Sequence, residues 1–276
     1  MTIEEAINTA SNKINATDAE MLLRYILKKD QIYLYTNPDH KLSPTHYELF
    51  KKIVEQIQNG KPFAYITHQK EFYGLDFYVD ENVLIPRPET EILVDEAIKI
   101  ANSLLTTDNG LIIADVGTGS GCIAIAIAKN LRFKNYDLRI FATDISKDAL
   151  RVAQINTKKH KVASEIKFLR GDLLNPLPEQ VDIIIANLPY VNMELLKQKI
   201  TEPKIALDGG KNGFEIIEKL LKQSPHHLKP NGKIFLEIDP QQKTALRKTI
   251  PEYLPSAEFE FGKDLAGSIR IAIISP

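Results

Sequence analysis

The sequence predicts an open α/β fold, a mainly parallel sheet with helices on both faces, preceded by a small helical piece. Three observations carry this. After Gly110, short apolar runs alternate with segments of helical period, as strand–helix units feeding parallel strands do. One run, Val181-Asp182-Ile183-Ile184-Ile185-Ala186, is apolar at nearly every position, as a strand covered on both faces requires. Before Gly60, by contrast, apolar residues recur only at helical spacing.

Ile3, Ala6, Ile7 and Ala10 mark a first helix. Asp18 is a candidate cap for a second, from Ala19 to about Lys28, with Met21, Leu22 and Ile26 on one face. Ser43-Pro44 is a cap-plus-first-turn pair opening a third helix that ends at Gly60. Between them Ile32, Leu34 and Tyr35 fit a short helix or a loop. Large core residues are few here, so this piece is expected to lean on its neighbour. From Phe72 to Val79 the chain is aromatic and partly alternating, with Asp80-Glu81-Asn82 as a turn, which reads as a hairpin joining two domains. Pro86 and Pro88 block a helix until Pro88, which opens one running to about Leu105. Strands are expected at 111–116, 138–143, 165–169, 181–186, 233–238, 258–261 and 269–274. Helices are expected near 120–129, 147–159, 213–222 and 241–250. The domain reading is 1–70 helical, 71–87 hairpin linker and 88–276 α/β.

The 276 residues suffice for one large domain and one small one. A net charge of −1 supplies no global field toward nucleic acid or anionic membrane, though it leaves room for a local basic patch. The lone cysteine, Cys122, excludes an intrachain disulfide framework. No apolar run approaches the roughly 18 residues of a membrane span. The start of the chain, with Glu4 and Glu5, reads as neither a secretory signal nor a transit peptide. His68, His226 and His227 form no metal-ligand spacing, so no metal is expected.

The chemistry concentrates at strand ends. Asp115-Val116-Gly117-Thr118-Gly119-Ser120-Gly121 follows the first strand and opens a helix. Its spacing is not that of dinucleotide folds, and no lysine follows as in a phosphate loop. The next strand ends at Asp144, where a carboxylate can accept from both hydroxyls of a ribose. Together they favour a nucleoside cofactor without phosphates, S-adenosylmethionine rather than NAD or ATP. Asp172 and Leu173 follow the third strand; alone, Asp172 reads as a turn or cap residue, and the alternative is an adenine contact. Cys122 opens the helix after the glycines and reads as a packing residue. Asn187-Leu188-Pro189-Tyr190 ends the most apolar strand. Asn187 offers an acceptor, the turn a backbone carbonyl, and Tyr190 a flat face, which suits methyl transfer to a planar nitrogen.

These motifs, with Leu84-Ile85-Pro86-Arg87-Pro88-Glu89-Thr90-Glu91 and Glu202-Pro203-Lys204-Ile205-Ala206-Leu207-Asp208-Gly209-Gly210, resemble the peptide chain release factor glutamine N5-methyltransferases. Asp18-Ala19-Glu20-Met21-Leu22-Leu23, Ala64-Tyr65-Ile66 and Glu71-Phe72-Tyr73-Gly74 extend the likeness into the N-terminal piece. The resemblance implies a seven-stranded, mostly parallel Rossmann-like class I methyltransferase sheet behind a small helical domain. It implies methylation of the glutamine amide in the Gly-Gly-Gln loop of class 1 release factors, with S-adenosylmethionine as donor. The protein is expected to be a cytoplasmic monomer with no stable nucleic-acid or membrane partner. By position, Gly117, Thr118, Gly119, Ser120 and Gly121 would hold the methionine part, Asp144 the ribose, and Asp172 with Leu173 the adenine. Asn187, Leu188, Pro189 and Tyr190 would hold the glutamine, Asn187 also bordering the cofactor.

Three positions depart from the family's usual pattern: Leu188 for proline, Thr67-His68 for Leu-Gly, and Asp239-Pro240 for a glycine and a non-proline residue. Asn-Leu-Pro-Tyr also resembles the motif of rRNA adenine dimethyltransferases. Competing readings are therefore methylation of an exocyclic amine in RNA or DNA, of a glutamine in a ribosomal protein, or cofactor binding without catalysis. Near-neutral charge speaks against the first, Pro88-Glu89-Thr90-Glu91 against the second, and intact Asn187, Pro189 and Tyr190 against the third.

Overall fold

The computed structural model describes residues 1–104, 110–131, 137–192 and 200–276. The chain forms two compact units, Met1–His68 and Gln69–Pro276.

The first unit is helical: α1 (Ile3–Ser11), α2 (Ala16–Leu27), α3 (Gln31–Thr36), α4 (Pro44–Gln58) and α5 (Phe63–Thr67). Asn15, not Asp18, caps α2; its Oδ1 accepts from the Thr17 amide at 2.8 Å. Both residue types cap well, and Asp18 falls in the first turn, where a carboxylate suits the positive end of the helix. Ser43 caps α4 as expected, accepting from the His46 amide at 3.1 Å. Residues 31–36 form a helix rather than a loop, and α5 was not anticipated. α5 stops at His68, whose φ of 54° is left-handed, which explains why a glycine is the usual residue there. The unit has a core of its own around Leu22, Leu23, Leu34 and Phe50, with Tyr47 and Phe63 partly buried against it. Tyr47 and Phe50 extend the apolar stripe that α4 carries through Ile53 and Val54.

The second unit opens with the hairpin β1 (Lys70–Phe72) and β2 (Leu75–Phe77). Tyr73 and Gly74 both take positive φ, 53° and 68°, the two-residue turn whose twist matches paired strands. The hairpin therefore turns at Tyr73-Gly74, and Asp80-Glu81-Asn82 forms a separate turn after it, Val83 donating to the Asp80 carbonyl at 3.2 Å. The Asp80 side chain is buried, accepting from the Asn82 amide at 3.0 Å and from Arg151 at 3.1 Å. Phe72 and Phe77 lie in the main core of this unit, so the hairpin is part of that core.

A 3-10 turn, Pro88–Thr90, leads into α6 (Glu91–Leu104); Leu105, the expected end, lies outside the described residues. Then follow β3 (Leu111–Val116), α7 (Cys122–Leu131), β4 (Leu138–Asp144), α8 (Lys147–His160), β5 (Ile166–Arg170) and β6 (Val181–Ala186). After β6 come α9 (Glu215–His227), β7 (Leu228–Glu237), α10 (Lys243–Tyr253), β8 (Glu258–Lys263) and β9 (Ile269–Ser275). Seven strands form one sheet in the order β5-β4-β3-β6-β7-β9-β8, parallel except at β9. Strand β7 begins earlier than expected, with an irregularity where it pairs with β6 near Val181. At 239–240 Asp239 caps a 3-10 turn through the Gln241 amide at 2.8 Å, with Pro240 in its first position, so this departure makes a local cap.

Alternation along the strands divides the core in two. Ile113, Ile140, Ile183 and Phe235 face the layer containing α6 and α7; Ile112, Phe141, Ile184 and Ile234 face the layer containing α9 and α10. Because both faces are covered, the strands read as continuous apolar runs. Phe77→Ala should destabilise the second unit by about 3–5 kcal/mol. Urea denaturation followed by circular dichroism measures it, since the chain has no tryptophan; an unchanged midpoint would show that the hairpin is only a connector.

Candidate active site

The C-terminal ends of β4, β3, β6 and β7 form one edge. Thr143 lies opposite Val116, Val116 opposite Ala186, and Ala186 opposite Leu236. One residue further along each strand stand Asp144, Gly117, Asn187 and Glu237. A cavity of about 460 Å³ opens on this edge.

The glycine loop forms one wall. Gly117 has φ +72°, which strains any side chain, and a Cβ there would press on Leu188 Cδ2 at 3.2 Å. Thr118 donates through Oγ1 to Asp115 Oδ2 at 2.6 Å, tying the loop to β3. Gly119 donates its amide to Asp144 Oδ2 at 2.9 Å, and Ser146 donates to Asp144 Oδ1 at 2.8 Å. Each oxygen of Asp144 keeps a further lone pair for a ligand. Burial raises the Asp144 carboxyl above its ordinary range, against the backbone donors that lower it. Burial also pushes Asp115 up to about 6, and its Oδ1 has no partner among the described residues. Ser120 is buried at the wall and its carbonyl accepts from Asn156. Gly121 does not line the cavity; its amide closes a turn onto Thr118 and its carbonyl starts α7. Cys122 lines the wall with its thiol pushed up to about 12 by burial, which suits packing rather than reactivity.

Asp172 and Leu173 both line the cavity. Asp172 is paired with Lys219 of α9, a partner that local spacing does not reveal. Leu173 is nearly buried and takes a left-handed φ of 54°, costly for a branched side chain and of the kind that clusters at ligand sites.

Asn187, Leu188 and Pro189 separate the large cavity from a smaller one of about 220 Å³, and Tyr190 lines only the smaller. Leu188 is buried in the core, its side chain against the glycine loop. The backbone of this segment is clamped from below. Val191 donates to the Leu207 carbonyl at 2.9 Å and accepts from the Gly209 amide at 3.0 Å. A Cβ on Gly209 would lie 2.7 Å from the Pro189 oxygen, and one on Gly213 2.1 Å from the Tyr190 oxygen. Burial pushes the Tyr190 phenol up to about 12, so it stays neutral.

Sequence reasoning missed the partners of Asn187. Its Nδ2 donates to Thr90 Oγ1 at 2.9 Å, and Thr90 donates to Glu237 Oε2 at 2.6 Å. No side-chain partner occupies Asn187 Oδ1 among the described residues. The available signal was a single carboxylate in the apolar run Ile234-Phe235-Leu236-Glu237-Ile238, at a strand end on the ligand edge. Glu202 likewise joins two motifs, accepting from the Ile85 amide at 2.9 Å and pairing with Arg87. Among the described residues no group of His, Cys, Asp and Glu side chains is placed to hold a metal ion. No described helix is long and apolar enough to cross a membrane.

The description "PrmC N-terminal domain" matches residues 3–67, and "Methyltransferase small domain" matches 91–254. A release factor glutamine methyltransferase of Koribacter versatilis is 33% identical over 287 residues, 99% of this chain and 98% of its own. One from Rhodopirellula baltica is 37% identical over 262 residues, 92% of this chain and 87% of its own. The chain belongs to the release factor glutamine methyltransferase family. As in that family, the described sheet has seven strands and is mostly parallel. Among solved structures, a ribosomal protein L11 methylase from Lactobacillus delbrueckii subsp. bulgaricus has a similar fold, with TM-score 0.51 and 25% identity over 71% of this chain and 83% of that one.

Within this family member, burial pushes Glu237 up to about 7, with Glu89 adding to the rise and Thr90, Arg270 and Tyr190 opposing it. The folded protein then keeps a proton that the unfolded chain has released, between about pH 4 and 7. The stability tied to that proton is complete at low pH and is lost as pH rises through about 7. Glu237→Gln has no proton to lose, so its stability relative to wild type should rise between about pH 4 and 7 and level off above. Thermal melts across that range measure the difference; a constant gap would contradict the raised value.

Proposed function

We propose that this protein transfers the methyl group of S-adenosylmethionine to the side-chain amide nitrogen of the glutamine in the Gly-Gly-Gln loop of class 1 release factors. The observation that carries the reading is Asn187. Its Nδ2 is held by Thr90 and its Oδ1 has no side-chain partner among the described residues, on the wall shared by two cavities, in a chain of this family. The large cavity suits the cofactor. It has Asp144 for a ribose, no lysine after the glycines for a phosphate, and apolar Ile145, Ala149 and Leu173 for an adenine. Two desolvated carboxyls, Asp144 at the wall and Asp115 behind it, favour a ligand that carries positive charge.

Bound S-adenosylmethionine supplies a methyl group on a cationic sulfur, already activated for transfer. An amide nitrogen is a weak nucleophile because its lone pair is shared with the carbonyl. Asn187 Oδ1 and the Leu188 carbonyl accept from its two N–H bonds. They aim the nitrogen and stabilise positive charge as the N–C bond forms and the C–S bond breaks. The nitrogen then loses a proton to water, leaving a neutral methylamide. Tyr190, neutral at the smaller cavity, packs beside the flat amide. Leu188 in place of the usual proline serves through its backbone carbonyl, which any residue offers. The domain reading 1–70, 71–87 and 88–276 assigns docking of the release factor body to the helical part and chemistry to the rest. The same reading has the protein act as a cytoplasmic monomer.

Tritiated-methyl transfer tests the reading, with purified release factor, its loop Gln→Ala variant and deproteinised rRNA as acceptors. Label on wild-type factor alone is expected; label on rRNA alone would overturn it. Asn187→Ala should lower turnover by about 10²–10³-fold while the cofactor still binds. Asp144→Ala should mainly weaken the cofactor, and unchanged affinity by calorimetry would count against its role.

A further inference from the structure

The proposed transfer depends on which end of the Asn187 amide faces the substrate. An oxygen there accepts an N–H; an NH₂ group would oppose it. The two ends have nearly the same shape, so packing alone does not choose between them. Hydrogen-bond polarity does. A hydroxyl carries one proton, and Thr90 gives its proton to Glu237 Oε2 at 2.6 Å. Toward Asn187, Thr90 then presents only lone pairs, and the NH₂ end must face it, at 2.9 Å. The three residues come from the end of β7, the turn before α6 and the end of β6, so nothing local in the chain dictates the arrangement.

We infer that Glu237 is a positioning residue for methyl transfer: through Thr90 it fixes the Asn187 amide with Oδ1 toward the substrate. This rests on the proposed reading of the site. The device has a consequence for pH. A protonated Glu237 can donate to Thr90, which frees the Thr90 proton to point at Asn187 and removes the preference for one amide orientation. Groups facing Glu237 are Thr90 and Glu89 from the turn before α6, Arg270 from β9, and Tyr190 beyond β6. Tyr190 in turn faces Asp239 and Arg87. Their balance with burial holds the carboxyl at about 7, so the polarity of the chain changes near neutral pH.

The test is methyl transfer to release factor at saturating cofactor, from about pH 5.5 to 9, with cofactor affinity measured by calorimetry. Wild-type kcat should fall as pH drops through about 7. Thr90→Val keeps the shape and removes the hydroxyl. It should lower kcat about 10–100-fold at high pH, with KM less affected and cofactor affinity unchanged, and should lack the limb near neutral pH. Thr90→Ser should recover most of the turnover and the limb. A Thr90→Val enzyme as fast as wild type would overturn the inference, and so would a limb that persists in it. A wild-type profile flat through neutral pH would do the same without any variant. These outcomes leave the reaction itself standing if wild type labels the factor and Asn187→Ala does not. Failure of wild type to label the factor would remove the proposed function and this inference together.

Discussion

The site depends on the register of four adjacent parallel strands. Val116 opposite Thr143 and Ala186, and Ala186 opposite Leu236, place Asp144, Gly117, Asn187 and Glu237 in one row. Each is the first residue beyond, or the last within, a strand whose other residues are mostly buried. A slip of one residue in any pairing would turn Ile183, Ile185 and their neighbours to the opposite layer and move the polar residue out of the row. The two-faced apolar core therefore fixes the site: the same burial that stabilises the sheet sets the distances between the groups at its edge.

That edge concentrates charge where burial makes charge costly. Asp115 and Glu237 are both buried, and both hold their protons to higher pH than a free carboxyl. Each keeps its place through a hydroxyl donor, Thr118 for Asp115 and Thr90 for Glu237, at 2.6 Å in both cases. A hydroxyl suits this use because it neutralises nothing and has a second side. Thr118 spends that pattern on fixing the glycine loop, Thr90 on Asn187. An arginine in either place would quench the carboxylate and leave no lone pair to pass the polarity on.

The central part of the fold was legible in the sequence because burial on both faces leaves an unbroken signal. Strands 111–116 and 181–186 were read with the bounds that β3 and β6 have. Less was legible where two residues competed for one role. Asn15 and Asp18 both cap helices, and only the backbone decides between them. Asp80-Glu81-Asn82 is turn-like in composition and does turn, but the hairpin itself turns earlier, where positive φ is carried by Tyr73, which is not turn-like. At the site, residues marked by local spacing line the large cavity: Gly117, Gly119, Asp144 and Asn187. Thr90 and Glu237 are not marked in this way, since 147 positions separate the two ends of their hydrogen bond. The Lys219 partner of Asp172 was hidden for the same reason.

Two cavities share Asn187, Leu188 and Pro189 in their linings. The Leu188 side chain lies against Gly117, so the glycine loop and the turn after β6 are packed together. Below, the Val191–Gly209 pairing and the close approach of Gly213 to the Tyr190 carbonyl leave the turn no room to drop. The wall is thus held from both sides by backbone, and its single polar side chain is held by Thr90. On the proposed function, a nitrogen entering from the smaller cavity would meet an acceptor already oriented, so the cost of alignment would be met in folding the protein rather than in binding the substrate.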